Sequence, residues 1–157
     1  MKRPVAFLGG LIAIAGVVLS IFIGSLGWYT FEALGQTYWL NAIGGSGLNG
    51  EVLGYIPDDF SNTGTILWMV AGILSVVGGI LCLTQGKAAS VLGGVIAIGG
   101  CFVFFYIIPF ATSFGVSAPE FNFDYFWPSD NAHIGYGWII TAAGGLIGLI
   151  GGFTGED

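Results

Sequence analysis

Four stretches of this chain contain no Asp, Glu, Lys or Arg: Pro4 to Phe31, Ser61 to Gly86, Ala88 to Pro119 and Asn131 to Gly155. Each holds about 20 apolar or small residues, enough to cross a hydrocarbon layer of about 30 Å as a helix. With 55% hydrophobic and only 8% charged residues among 157, a soluble core with a polar shell is not available to this chain. The runs predict membrane helices over 5–27, 65–83, 88–110 and 134–153, with long loops over 28–64 and 111–133, all in one domain covering 1–157. The expected fold class is an all-α membrane protein: a four-transmembrane-helix bundle with a small cap outside the membrane.

Orientation rests on three basic residues. Lys2 and Arg3 precede the first run, and Lys87 lies in the short link between the second and third. Basic residues next to membrane helices are retained on the cytoplasmic side. The expectation is a multi-pass protein of the cell membrane with both termini cytoplasmic and both long loops outside. Those loops carry Glu32, Glu51, Asp58, Asp59, Glu120, Asp124 and Asp130 and no Lys or Arg, so the outer face is acidic. All five tryptophans fall in the outer half, and Trp28, Trp68 and Trp138 at helix ends read as a one-sided interfacial belt. A cleaved leader ending at Ser25-Leu26-Gly27 is disfavoured, because the first apolar run is too long for a signal core.

The chain also repeats itself. Leu92 to Gly100 restates Leu8 to Gly16 at an offset of 84 residues, Gly144 to Gly152 restates Ala71 to Gly79 at 73, and Pro128, Asp130 and Gly135 copy Pro57, Asp59 and Gly64 at 71. The order suggests a hairpin of two helices written twice. Each helix carries a small-residue stripe: Gly16, Ser20 and Gly24; Ala71, Ser75 and Gly79; Ala89, Gly93, Ala97 and Cys101; Gly144, Gly148 and Gly152. Such stripes let helices approach closely in lipid, either within one bundle or between subunits. Gly145 and Gly151 lie off the last stripe, which leaves the fourth helix a second thin side. The subunit-contact reading takes Gly16, Ser20, Gly24, Gly144, Gly148 and Gly152 as its helix faces, with Trp39 and Trp127 as outer anchors. On that reading Gly148→Leu disturbs assembly and leaves membrane insertion intact.

In the first loop, Thr37 to Ile43 and Glu51 to Ile56, separated by GGSGLNG, read as a short β-hairpin with a glycine-rich turn. In the second, Phe121, Phe123, Tyr125 and Trp127 alternate with Asn122, Asp124 and Phe126, placing four rings on one face of an extended segment. Glu120, Asp124, Asp130 and His133, with Asp58 and Asp59, form the one polar constellation with metal-binding chemistry, and solvated loop acids are its plainer reading. No specific metal and no cofactor is expected. Cys82 and Cys101 fall within helices and read as small buried thiols.

The predicted helix interiors hold no carboxylate, lysine or arginine, which argues against a pump or proton relay. No phosphate loop, CxxC pair or nucleophile–base set is present, so autonomous catalysis is not expected. What remains is a non-catalytic membrane subunit that assembles with copies of itself or with other membrane protein subunits in lipid, with no nucleic-acid partner. Alternatives are an accessory subunit of a membrane redox or other enzyme complex, and a small transport or pore module lined by Ser20, Ser75, Thr84 and Thr141.

Four spans with both ends inside, a long first outer loop, a short inner link and a shorter second outer loop resemble the claudin and PMP22 class of tetraspan proteins. The likeness is of topology across the whole chain. That class carries a Trp, Gly-Leu-Trp, Cys, Cys signature in its first loop; the nearest residues here are Gly27-Trp28 and Tyr38-Trp39-Leu40, with no loop cysteine. The resemblance implies a cell-contact role, while the disulfide that braces the family's outer sheet has no counterpart.

Overall fold

The computed structural model describes residues 3–57, 62–112 and 117–155. Asp58 and Asp59, together with Lys2, Glu156 and Asp157, lie outside the described residues. Four helices, α1 (Pro4–Phe22), α2 (Thr63–Leu83), α3 (Lys87–Thr112) and α4 (Tyr136–Thr154), are each long and apolar enough to cross a membrane. Five strands, β1 (Tyr29–Ala33), β2 (Gln36–Leu40), β3 (Ser46–Leu48), β4 (Glu51–Gly54) and β5 (Ala132–Ile134), form one antiparallel sheet at one end of the bundle, in the order β4-β3-β2-β1-β5. The opposite end carries the short link between α2 and α3.

Around the bundle α1 packs on α4 and α2, and α3 packs on α2 and α4. Contact is backbone on backbone. A Cβ at Gly144 would lie 2.7 Å from the Gly9 carbonyl oxygen and 2.8 Å from Ala13 Cα; one at Gly94 would lie 2.6 Å from the Gly145 carbonyl oxygen. These contacts correspond in pairs. Gly10 meets Gly79 as Gly94 meets Gly145, and Gly9 meets Gly144 as Gly93 meets Gly78. The Thr141 hydroxyl donates to the Ala13 carbonyl at 3.0 Å, as Ser75 donates to Ala97 at 3.1 Å. Exchanging the two helix pairs therefore maps α1 onto α3 at the offset of 84 seen in the sequence. It maps α2 onto α4 at 66 instead of 73. The sequence echo between those two helices is two helical turns out of the packing register, because glycine recurs along both helices while the register is fixed by which backbones touch.

The helix α1 starts on Pro4, whose fixed φ suits a first turn. It ends at Phe22, five residues before the expected 27. Ile23 is extended, and Gly24 and Gly27 pass over the Trp39 ring, where a Cβ would come within 2.8 and 2.9 Å of it. The Asn62 side chain caps α2 by accepting from Gly64 N at 2.8 Å. At the link end, buried Arg3 donates to the Gly152 carbonyl (3.1 Å) and to the Gln85 carbonyl (3.3 Å), tying α1, the link and the C-terminal turn of α4 together. A cation there also favours the helix dipole.

The cap is more than one hairpin. Residues expected in the two paired strands of the first loop are not neighbours, since β3 runs between β2 and β4 out of the stretch read as a turn. The actual turns are Leu34-Gly35 (φ 54° and 75°) and Asn49-Gly50 (φ 51° and 90°), both two-residue turns with positive φ throughout. In the second loop the expected extended segment is interrupted by a 3₁₀ turn over Phe123–Tyr125. Phe121, Phe123 and Phe126 gather instead around Phe105, at centroid distances of 6.3, 5.4 and 6.4 Å.

Sheet alternation separates two faces. Tyr29, Phe31, Leu40 and Ile134 are buried with Trp28, Trp68, Phe104 and Ile108 at the end of the bundle. Nor do the tryptophans form a belt: Trp28 and Trp68 are buried, donating their indole N–H to the carbonyls of Gly16 (3.1 Å) and Asn41 (2.7 Å). An indole N–H removed from water needs an acceptor, and the protein supplies it. Burial pushes the Tyr29 phenol up to about 12, with Tyr125 adding to the shift. A raised folded-state value leaves cap stability complete below pH of about 10, where the unfolded phenol is still neutral, and removes it as pH rises towards 12. Ultraviolet titration is expected to show one late-ionising tyrosine that Tyr29→Phe abolishes.

Candidate functional site

The second face of the sheet is open. Register places Thr30 opposite Trp39 and His133, and Glu32 opposite Thr37. These side chains form one wall of a groove of about 660 Å³, closed on the other side by the end of α1 at Phe22 and Ile23. Trp39 is its floor and is almost wholly buried, held against Gly47, Gly24 and Gly27. Asn49 adds an amide at the rim, its Oδ1 accepting from Thr37 N at 3.1 Å.

The acids are brought together by the β1–β5 pairing. Glu32 N donates to the Asn131 carbonyl at 2.9 Å, which sets the turn carrying Asp130 beside Glu32. Asn131 N in turn donates to Ser129 Oγ at 3.2 Å, fixing that turn. His133 is held on three sides. Its Nδ1 donates to the Ile134 carbonyl at 2.8 Å, because a carbonyl only accepts, so in the neutral ring Nε2 faces the Thr30 hydroxyl, 3.4 Å away, as acceptor. Trp127 stacks on the imidazole at 3.9 Å and 15°.

Among the described residues the cations Arg3 and Lys87 sit at the link end, about 28 Å from the groove by the length of α1. Among the described residues Glu32 and Asp130 therefore have no Lys or Arg on this side of the bundle. Of the expected metal set, His133 and Asp130 line the groove while Glu120 and Asp124 do not. Among the described residues no three His, Cys, Asp or Glu side chains converge to hold a metal ion. Glu32 joins the groove through strand pairing alone, a relation no local pattern in the sequence announces.

The residues expected at subunit contacts lie inside the chain. Gly16 faces Thr141 and Gly137, Ser20 donates to the Val17 carbonyl and accepts from Ala42 N, and Gly24 covers Trp39. Gly144 meets α1, Gly148 meets Cys82, and Gly152 meets Ser90 and Val91. The contacts that these residues make are thus with the bundle and cap of their own chain, and Gly24 is left partly exposed. Trp127 remains exposed, at 46%. The hydroxyls considered for a pore are bonded to backbone carbonyls, Thr84 to Leu81 at 2.6 Å among them.

A second cavity of about 290 Å³ lies under the sheet between β2 and the ends of α2 and α3, lined by Tyr38, Leu53, Trp68 and Phe110. No protein-family model matches the chain, and no curated protein matches it.

Proposed function

We propose that the chain is a non-catalytic integral membrane subunit that assembles with copies of itself or with other membrane proteins, and that it meets them through the cap instead of through its helix faces. The sheet lies outside the cell membrane and both termini are cytoplasmic, a reading supported by the gathering of Arg3 and Lys87 at the link end and of Glu32, Glu51 and Asp130 at the other. The observation that carries the cap contact is Leu34. It is 98% exposed at the tip of the β1–β2 hairpin and sits at φ 54°. A bulky residue in that region costs of order 1 kcal/mol, where Asn would fit the turn. A singly exposed leucine needs no partner by itself; what supports a contact with another chain is that this one is held in a strained conformation at the tip of the hairpin.

The plan of four spans under a sheet drawn from both loops supports kinship with the claudin and PMP22 class. A cell-contact role on that basis belongs to the same proposal, without the family's loop disulfide.

The test is Leu34→Asn. The hairpin is expected to gain about 1 kcal/mol in stability, while complexes extracted gently from the native membrane shrink when weighed by native mass spectrometry. A wild-type chain that leaves its membrane alone would sink the proposal, and so would complexes unchanged by the substitution.

A further inference from the structure

The groove on the open sheet face has two unlike ends. At one, Phe22 and Ile23 present their side chains, 58% and 41% exposed, where α1 leaves the apolar span. At the other stand the carboxylates of Glu32 and Asp130, both on exposed positions and without a basic partner among the described residues. The space between, about 660 Å³, is within the range that holds small organic ligands, roughly 300–1,000 Å³. Its remaining polar lining is Thr30, Thr37, Asn49 and the His133 imidazole, with Trp39 almost wholly buried behind them against Gly24, Gly27 and Gly47.

A bare divalent ion fits this poorly. Calcium needs about 6 to 8 oxygens at 2.3–2.6 Å, and the acidic and imidazole groups here do not converge. Two carboxylates on one wall, a polar uncharged stretch and an apolar outlet suit a bulky monovalent cation whose charge is spread over carbon and which is joined to a chain. Cations of that kind are attracted to carboxylates without demanding close coordination.

We propose that the groove binds the ammonium head of a single-chain amphiphile, with Glu32 and Asp130 facing the head and Phe22 and Ile23 directing the tail towards the bundle. The head is taken at the β1–β5 side, where strand pairing brings both acids to one wall. This site is separate from the contact at Leu34, which does not line it.

The experiment uses the full chain in micelles of a neutral maltoside detergent, titrated calorimetrically with dodecyltrimethylammonium below its own micelle-forming concentration. Saturable binding is expected, weakened at least tenfold in the double variant Glu32→Gln, Asp130→Asn. A second double variant, Glu120→Gln and Asp124→Asn, removes the same charge outside the groove and is expected to bind as wild type. Both pairs are exposed and isosteric, so folding is retained, and an unchanged thermal midpoint checks it. Equal weakening by the two double variants overturns the proposal, since the attraction would then be diffuse. So does tetramethylammonium binding as tightly as the twelve-carbon probe, because the apolar end would contribute nothing. Uncharged dodecanol binding as tightly as the ammonium probe also overturns it, because the acids would then be irrelevant.

Discussion

Gly144→Leu is expected to break the bundle, whereas Gly99→Leu is expected to leave it intact. At Gly144 the first added carbon already lies 2.7 Å from the Gly9 oxygen and 2.8 Å from Ala13 Cα, and both are helix backbone that cannot turn aside. Overpacking against side chains costs about 1–3 kcal/mol; against two backbones the loss should reach at least about 3 kcal/mol, since α1 and α4 must separate along their length. The same α1–α4 contact carries the Thr141 to Ala13 hydrogen bond, which would be lost with it. Gly99 has nothing within 4 Å of a built Cβ, and leucine there gains helix propensity while facing outward. Denaturant titration in micelles, followed by the fluorescence of the buried Trp28 and Trp68, separates the two. Equal midpoints would mean that close approach of α1 and α4 does not hold the bundle. At Gly148 the first carbon meets the Cys82 Sγ at 2.6 Å, a side chain in place of backbone, so leucine there is expected to destabilise less than at Gly144.

The second large effect is expected at Asn41, 1% exposed where β2 turns towards β3. Its Oδ1 accepts from Ile43 N (2.9 Å) and Gly45 N (2.8 Å), its Nδ2 donates to the Tyr55 carbonyl (3.1 Å), and its own carbonyl receives the Trp68 indole. The side chain thus binds the β2–β3 loop and the segment after β4, while the backbone carbonyl of the same residue holds Trp68 in the first turns of α2. Asn41→Leu leaves two donors and one acceptor without partners, at about 1–3 kcal/mol for each that is buried, so the cap should lose about 3 kcal/mol or more. Asn41→Asp keeps both accepted bonds but buries a carboxylate with one oxygen against the Tyr55 carbonyl, so near neutral pH a loss of the same order is expected. Hydrogen exchange at Ile43 and Gly45 reads the change directly, and protection surviving Asn41→Leu would show that the loop is held by other means. Because the Asn41 side chain bonds to no helix, and the Trp68 bond goes to its backbone carbonyl, the amides of α1 to α4 are expected to stay protected.

How the groove relates to the bundle explains why one was legible and the other was not. The spans followed from hydropathy, since a helix in lipid is specified by length and apolarity, which are local quantities. Charge-free runs gave four helices to within a few residues everywhere except at the end of α1. There the chain leaves the helix to clear Trp39, a residue 17 positions beyond Phe22 in the sequence. Asp130 and His133 were recognised as polar loop residues with chemistry; Glu32 was only one of seven acids. Its place in the groove depends on β1 pairing with β5 across some hundred residues, and register between distant strands has no signature within either strand.

The Asn49-Gly50 turn is the local signal that could have found β3 and β4, because an Asn-Gly pair between short apolar strands favours a two-residue hairpin. Leu34 gave no such signal, since leucine is an unfavourable residue for the conformation it holds.

By itself, then, the sequence determined the number and placement of four helices long and apolar enough to cross a membrane, the separation of Arg3 and Lys87 from the acids of the two long loops, and an echo of one helix in another at an offset of 84. Those features are set residue by residue, through transfer of side chains between water and hydrocarbon. Tertiary structure alone decided that the glycine stripes face one another, that α2 and α4 correspond at 66 residues and not 73, and that Glu32 and Asp130 share a wall. Each of these depends on which backbones can approach and which strands pair, and only the packed chain chooses among the registers that its many glycines allow.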